Sequence, residues 1–201
     1  MSFVVLTCCL VVAAVLVLSA VGKVSTVAAR SAFAASTRHL LPRRLRRVAT
    51  PEVVASSELA VAVAVTVPAT ATVGLVAALV AFLAFTGVLV GAVRRDVREP
   101  CRCFGASSRP VGAVHVARNA GLVGVCLAAL AGLGTGSARA PLVDPAGVLA
   151  AATAVVVAVV VSRLDDLLGV WSMASVVTRP AGRVTGRSSP AVPVRTNRKE
   201  P

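Results

Sequence analysis

Between Val53 and Val93 the chain runs for 41 residues with Glu58 as its only charged side chain. At 1.5 Å per residue a helix of that length would extend roughly 60 Å, about twice the ~30 Å hydrocarbon layer of a bilayer. One helix is too long for a single crossing, so the run predicts two antiparallel membrane helices with a turn between them. Pro68 to Thr72, followed by Gly74, supplies the residues that weaken a helix. The predicted helices are 52–69 and 72–93.

The remaining apolar runs extend the same pattern. Met1 to Gly22 carries no charge and predicts a first helix over 2–22. Its length and the lack of a basic leading segment favour a retained helix over a cleaved signal peptide. Residues 111–133 predict a further helix, and 146–163, at the lower length limit for a span, a fifth. With 57% hydrophobic residues, the chain has more apolar surface than a small soluble domain can bury, and the excess must face lipid. The fold class is therefore all-α: a polytopic membrane bundle with a four-helix core, residues 1–134, plus a fifth transmembrane helix. The location expected is the cell membrane, multi-pass, with the lipid bilayer as partner. Residues 164–201 read as an interfacial segment carrying Trp171 and then a basic, disordered tail. Residues 23–50 read as a basic connector, its central part a short surface helix ending before Pro42.

The net charge of +13 does not point to nucleic acid, because aromatic residues are 3% of the chain and there is no Tyr. It points to membrane orientation. With five helices, the first connector, the loop at 94–110 and the chain from Arg163 onward share one side and carry 7, 5 and 7 Lys and Arg residues, whereas Arg139 stands alone opposite. The positive-inside rule puts that basic side in the cytoplasm.

The loop at 94–110 holds the pair Cys101-Arg102-Cys103. Thiols one residue apart can form a strained disulfide, exchange with a partner's sulfur or share a metal, and Arg102 favours the thiolate. Two incidental loop cysteines are the competing reading. Glu58 and Arg118 each fall about seven residues, roughly 10 Å, below the basic surface on their helices. Because an intramembrane ionisable group is paired or faces a cavity, the common depth predicts an ion pair or shared polar network between them. His115, Arg118, Asn119, Leu122 and Cys126 recur at helical spacing and form one protein-facing stripe. His115 or Glu58 could move protons to or from a thiolate above. The alternative is that Glu58, Arg118 and Asn119 tie helices together, the reading preferred for Asn119, with His115 snorkelling to the interface. Cys8, Cys9 and Cys126 read as small apolar packing residues. No His-Glu-x-x-His, Cys-x-x-Cys or phosphate loop is present, no metal is expected, and no motif identifies a cofactor, a quinone included.

The series Ser19-Ala20-Val21-Gly22-Lys23, Glu58, Phe85-Thr86, Cys101-x-Cys103-Phe104-Gly105 and Arg118-Asn119 resembles the methylamine utilisation MauE family, a branch of the DoxX-like and vitamin K epoxide reductase-like membrane proteins. The likeness covers roughly residues 1 to 134; the Arg-rich connector, fifth helix and tail lie outside it. The resemblance implies an accessory membrane protein of methylamine metabolism that supports disulfide formation or maturation of an exported methylamine dehydrogenase subunit. Cys101 and Cys103 would then be a redox pair, supported by Glu58, His115 and Arg118, with a thioredoxin-like protein as partner. Non-enzymatic assembly scaffolding or small-molecule carriage is the other function considered. Oxidative maturation takes place outside the cytoplasm, opposite to the side that the charge count assigns to the pair.

Overall fold

The computed structural model describes residues 2–41, 46–95, 112–135 and 144–177. The described residues form six α-helices and no strand: α1 (Ser2–Val24), α2 (Val27–Leu40), α3 (Pro51–Thr66), α4 (Ala71–Arg94), α5 (Ala113–Gly134) and α6 (Pro145–Val177), with a 3-10 turn at Pro68–Thr70 between α3 and α4. The chain is a polytopic helical membrane bundle. Four spans among the described residues are long and apolar enough to cross a bilayer: Phe3–Val24, Pro68–Arg94, Ala113–Gly134 and Pro145–Arg163. Cys101 and Cys103, Arg139 and the tail at 178–201 lie outside the described residues.

One element differs from expectation. The second predicted span, 52–69, is a helix of only 16 residues, about 24 Å long and shorter than the hydrocarbon layer. Its limits are chemical. Thr50 caps it by accepting from the Val53 amide at 3.3 Å, Pro51 occupies the first turn, where its missing N–H costs nothing, and Pro68 follows its end. The fifth predicted span, 146–163, agrees with the apolar part of α6, Pro145–Arg163, and the helix continues beyond it to Val177.

Helix α1 is the hub and packs against α3, α5 and α6. Val5, Cys9, Val12 and Leu16 from α1, Ala62 and Val65 from α3, Leu75, Ala78 and Phe82 from α4, and Leu122, Cys126 and Ala129 from α5 form one buried cluster. Cys9 and Cys126 thus fill apolar space as small side chains. On α6, Ala150, Ala154 and Ala158 recur every four residues and are buried, a small-residue stripe that lets two backbones approach closely without aqueous hydrophobic drive.

The helix ends give the direction of each pass. Gly132, near the end of α5, lies where an added Cβ would strike a methyl of Val5 near the start of α1. At the opposite end Leu40, Leu89 and Ala92 are buried together, with Val116 packed against them. The end of α2, the end of α4 and the start of α5 therefore meet there. Helix α2 lies over this end as an amphipathic cover: Phe33, Ser36, Thr37 and Leu40 face inward and Arg30 and Arg38 outward, the i, i+3, i+4, i+7 spacing of one helical face.

The α3–α4 hairpin closes on a glycine. A Cβ at Gly74 would sit 2.5 Å from the Val65 amide nitrogen and 2.6 Å from the Ala64 carbonyl carbon, whereas at Gly87 it would meet nothing within 4 Å. Gly74→Ala should therefore destabilise the bundle by about 1–3 kcal/mol through overpacking against backbone. Gly87→Ala should be neutral or stabilising by up to about 1 kcal/mol through helix propensity. Unfolding by sodium dodecyl sulfate in mixed micelles, followed by circular dichroism, measures the difference; equal midpoints for the two variants would contradict the close approach.

Candidate functional site

Ser19 and Lys23 are four residues apart on α1 and so share one helical face. That face turns toward α3, and Glu58 meets it. The Lys23 ammonium donates to both carboxylate oxygens of Glu58 at 2.8 Å and to Ser19 Oγ at 2.5 Å. Ser19 Oγ in turn donates to Glu58 Oε1 at 3.1 Å. Ser19 and Lys23 are 2% and 3% exposed, and the Lys23 nitrogen stands 5.6 Å from the centre of the Phe33 ring on the covering helix, within cation–π range. The result is a closed, electrically neutral triad: a bidentate ion pair with a hydroxyl bridging its two halves.

This corrects the pairing expected from depth. The Glu58 carboxylate is held by Lys23 and Ser19, not by Arg118. Depth along a helix axis gives the level of a side chain but not its azimuth, and α1 lies directly against α3. Lys23 had been counted with the surface connector; it belongs to the last turn of α1. The usable signal was the Ser19-x-x-x-Lys23 spacing, which puts a donor and a hydroxyl on the face that a neighbouring carboxylate would seek.

Helix α5 supplies the second polar group. His115, Arg118, Asn119, Leu122 and Cys126 are all buried, so the stripe faces protein. His115 is 2% exposed and does not snorkel out of the bundle. Asn119 is fully buried, yet neither its Oδ1 nor its Nδ2 has a hydrogen-bond partner among the described residues. It therefore does not act as the interhelical tie expected of it. Asn119 lines a cavity of about 300 Å³ together with Ser19, Lys23 and Glu58. The structure thus gathers Lys23, Glu58, Phe85 and Asn119, from α1, α3, α4 and α5, around one space. Among the described residues no cluster of three or more His, Cys, Asp or Glu side chains could hold a metal ion.

Removing one member of the triad leaves the other charge buried without its counter-ion. Glu58→Leu and Lys23→Met should each destabilise the bundle by about 3 kcal/mol, and the double variant should return to within about 1 kcal/mol of the parent, since an apolar replacement of both partners removes the desolvation cost together with the attraction. Detergent-induced unfolding of the four proteins in this cycle measures the coupling; additive losses would show that the two charges do not depend on each other.

A comparison with protein families finds a match to the methylamine utilisation protein MauE over residues 1–132. No curated protein and no solved structure matches the chain. The matched region includes α1 to α4 and nearly all of α5, and with it every residue of the triad and the cavity. The chain belongs to the MauE family of methylamine utilisation proteins.

Proposed function

We propose that this protein is a thiol-redox accessory of the cell membrane that matures an exported partner of methylamine metabolism through Cys101 and Cys103. The observation that carries the reading is positional. The segment bearing Cys101-x-Cys103 joins the end of α4 at Arg94 to the start of α5 at Ala113, and those two ends meet at the side of the bundle that holds the triad.

The exchange is a two-electron transfer. A partner thiolate attacks the Cys101–Cys103 disulfide to form a mixed disulfide, and the partner's second thiolate displaces it. The partner leaves with a disulfide, and Cys101 and Cys103 are left as thiols. A disulfide spanning one intervening residue is strained and so a good oxidant. His115 and Arg118, buried in the first turns of α5, are the groups proposed to stabilise the thiolate and move its proton. Glu58, already engaged by Lys23, contributes by holding α3 against α1.

This role requires the cysteines on the exported side, against the raw charge count. Lys23 is neutralised by Glu58 inside the bundle, and Arg30 and Arg38 ride on an amphipathic helix packed against it, so the count overstates the charge available as free loop. A second reading, a non-enzymatic scaffold or carrier component, draws on the cavity and on the triad as interhelical glue; it requires the cysteines to be dispensable.

In a variant retaining only Cys101 and Cys103, intact cells treated with a membrane-impermeant maleimide should label the protein, and acid-quenched samples should contain an oxidised fraction released by dithiothreitol. Protection from the reagent until the cells are permeabilised would contradict the maturation role. Unchanged oxidation of the partner in a Cys101→Ser, Cys103→Ser protein would favour the scaffold.

A further inference from the structure

The cavity beside the triad offers a ligand almost nothing polar. Phe33 from α2, Phe82 and Phe85 from α4, and Leu16 and Leu40 form much of its wall. The polar residues that also line it are already engaged or out of reach. Lys23 donates to both oxygens of Glu58, and Ser19 Oγ donates to Glu58 Oε1. Ser36, Thr37 and Ser57 border the space as well. Their hydroxyls donate within their own helices, to the carbonyls of Ala32, Ala34 and Val54 at 3.1, 2.9 and 2.8 Å. Asn119 is 0% exposed, so its carboxamide cannot be reached. A polar ligand would leave water with no free donor to receive it. An alkyl chain gives up nothing there and gains contact with rings and methyl groups.

The opening of the cavity is lateral. Ser57 on α3 and Ala81 and Ala84 on α4 line it and are also exposed, and the two alanines lie inside the apolar span Pro68–Arg94. The space is therefore entered from the hydrocarbon. Above the opening, Ala84, Gly87, Gly91 and Arg95 stand at offsets 0, 3, 7 and 11, one face of a helix. A Cβ at Gly87 or Gly91 would meet nothing within 4 Å, so this face is an open, shallow furrow.

A cation stands at the top of the furrow. Arg95 is exposed, and its Nε donates to the Gly91 carbonyl at 3.0 Å. That bond lays the guanidinium back over the furrow and leaves its terminal nitrogens for an oxyanion such as a phosphate. Neither Arg94 nor Arg95 has an acidic partner among the described residues, and residues 94–110 carry five Arg against Asp96 and Glu99. From Arg95 down to Ala84 is roughly 16 Å at helical rise, about half of the ~30 Å hydrocarbon layer and so the depth of one leaflet. A head group at Arg95 thus brings the distal part of its chains to the opening. A cavity of about 300 Å³ holds about ten methylene-sized groups, taking ~30 Å³ for each. That is room for part of one chain and not for two.

We propose that this cavity takes the distal part of one acyl chain of an anionic phospholipid from the surrounding leaflet. Arg95 holds the phosphate, and the chain descends past Gly91 and Gly87 and turns in at Ala84. The site does not depend on thiol exchange at Cys101 and Cys103.

Phosphatidylglycerol carrying a diazirine near the end of one chain tests the assignment, with the full chain in phosphatidylcholine nanodiscs. After irradiation, peptide mapping should find label on Leu16 and Phe82, which are buried from the lipid-facing surface. Replacing a tenth of the phosphatidylcholine by unlabelled phosphatidylglycerol should remove most of that label. Ala84→Trp, on the exposed rim, should lower it at least fivefold while gel filtration shows an unchanged particle. Arg95→Gln, outside the bundle interior, should reduce competition by phosphatidylglycerol to within twofold of that by added phosphatidylcholine. Label confined to outward residues such as Val76, Val80 and Leu83 would overturn the proposal. So would interior label that Ala84→Trp leaves within twofold, or equal competition by the two lipids in the parent protein.

Discussion

A lone ammonium or carboxylate inside a membrane bundle is a large unfavourable term, and this protein answers it with one contact. Lys23 reaches both oxygens of Glu58 at 2.8 Å, and Ser19 closes the ring between them. The contact joins the last turn of α1 to the middle of α3. Because α3 has only 16 residues, its lipid-facing length gives it little independent anchorage. Its position against the hub helix depends on this pair and on the alanine and valine contacts below it.

Several features follow from where that contact sits. Helix α2 folds over the end of α1, burying Phe33 near the Lys23 ammonium, and thereby roofs the cavity instead of leaving the connector on the lipid surface. Gly74 brings the α3–α4 hairpin close enough for α4 to contribute Phe82 and Phe85 to the same space. Helix α5 then returns with Asn119 lining it and with His115 one turn nearer the start of the helix. Helices α1, α3, α4 and α5 are thus organised around a neutral polar centre, and the family match, which ends at residue 132, takes in all four but the last two residues of α5.

The helical bundle was legible because the signal is one-dimensional. The run from Val53 to Val93, with its single charge at Glu58, must fold back on itself whatever its partners, and Pro68 marks where. The stripe on α5 was legible for the same reason, since its period is local. Partner choice was not. Glu58 and Arg118 lie at similar depths, but the neighbour of α3 on that side is α1, and no periodicity within a helix reveals which other helix its face will meet. The role of Lys23 was obscured by its place beside an Arg-rich connector, where it reads as one more orienting charge. Asn119 looked like an interhelical tie because a buried amide ordinarily finds a partner; that it has none among the described residues is visible only in the structure.

The central claim is that Lys23 and Glu58 stabilise the bundle as a pair and that their polarity is incidental to that task. Reversing the charges tests it most directly. Lys23→Glu alone and Glu58→Lys alone each bury two like charges at one point, and each should abolish accumulation of folded protein in the membrane, measured by fluorescence-detected gel filtration of a carboxy-terminal fusion. The doubly reversed protein, Lys23→Glu with Glu58→Lys, should recover most of the parent's folded peak. A double reversal no better than the single ones would contradict the claim and show that the two side chains are held by separate requirements.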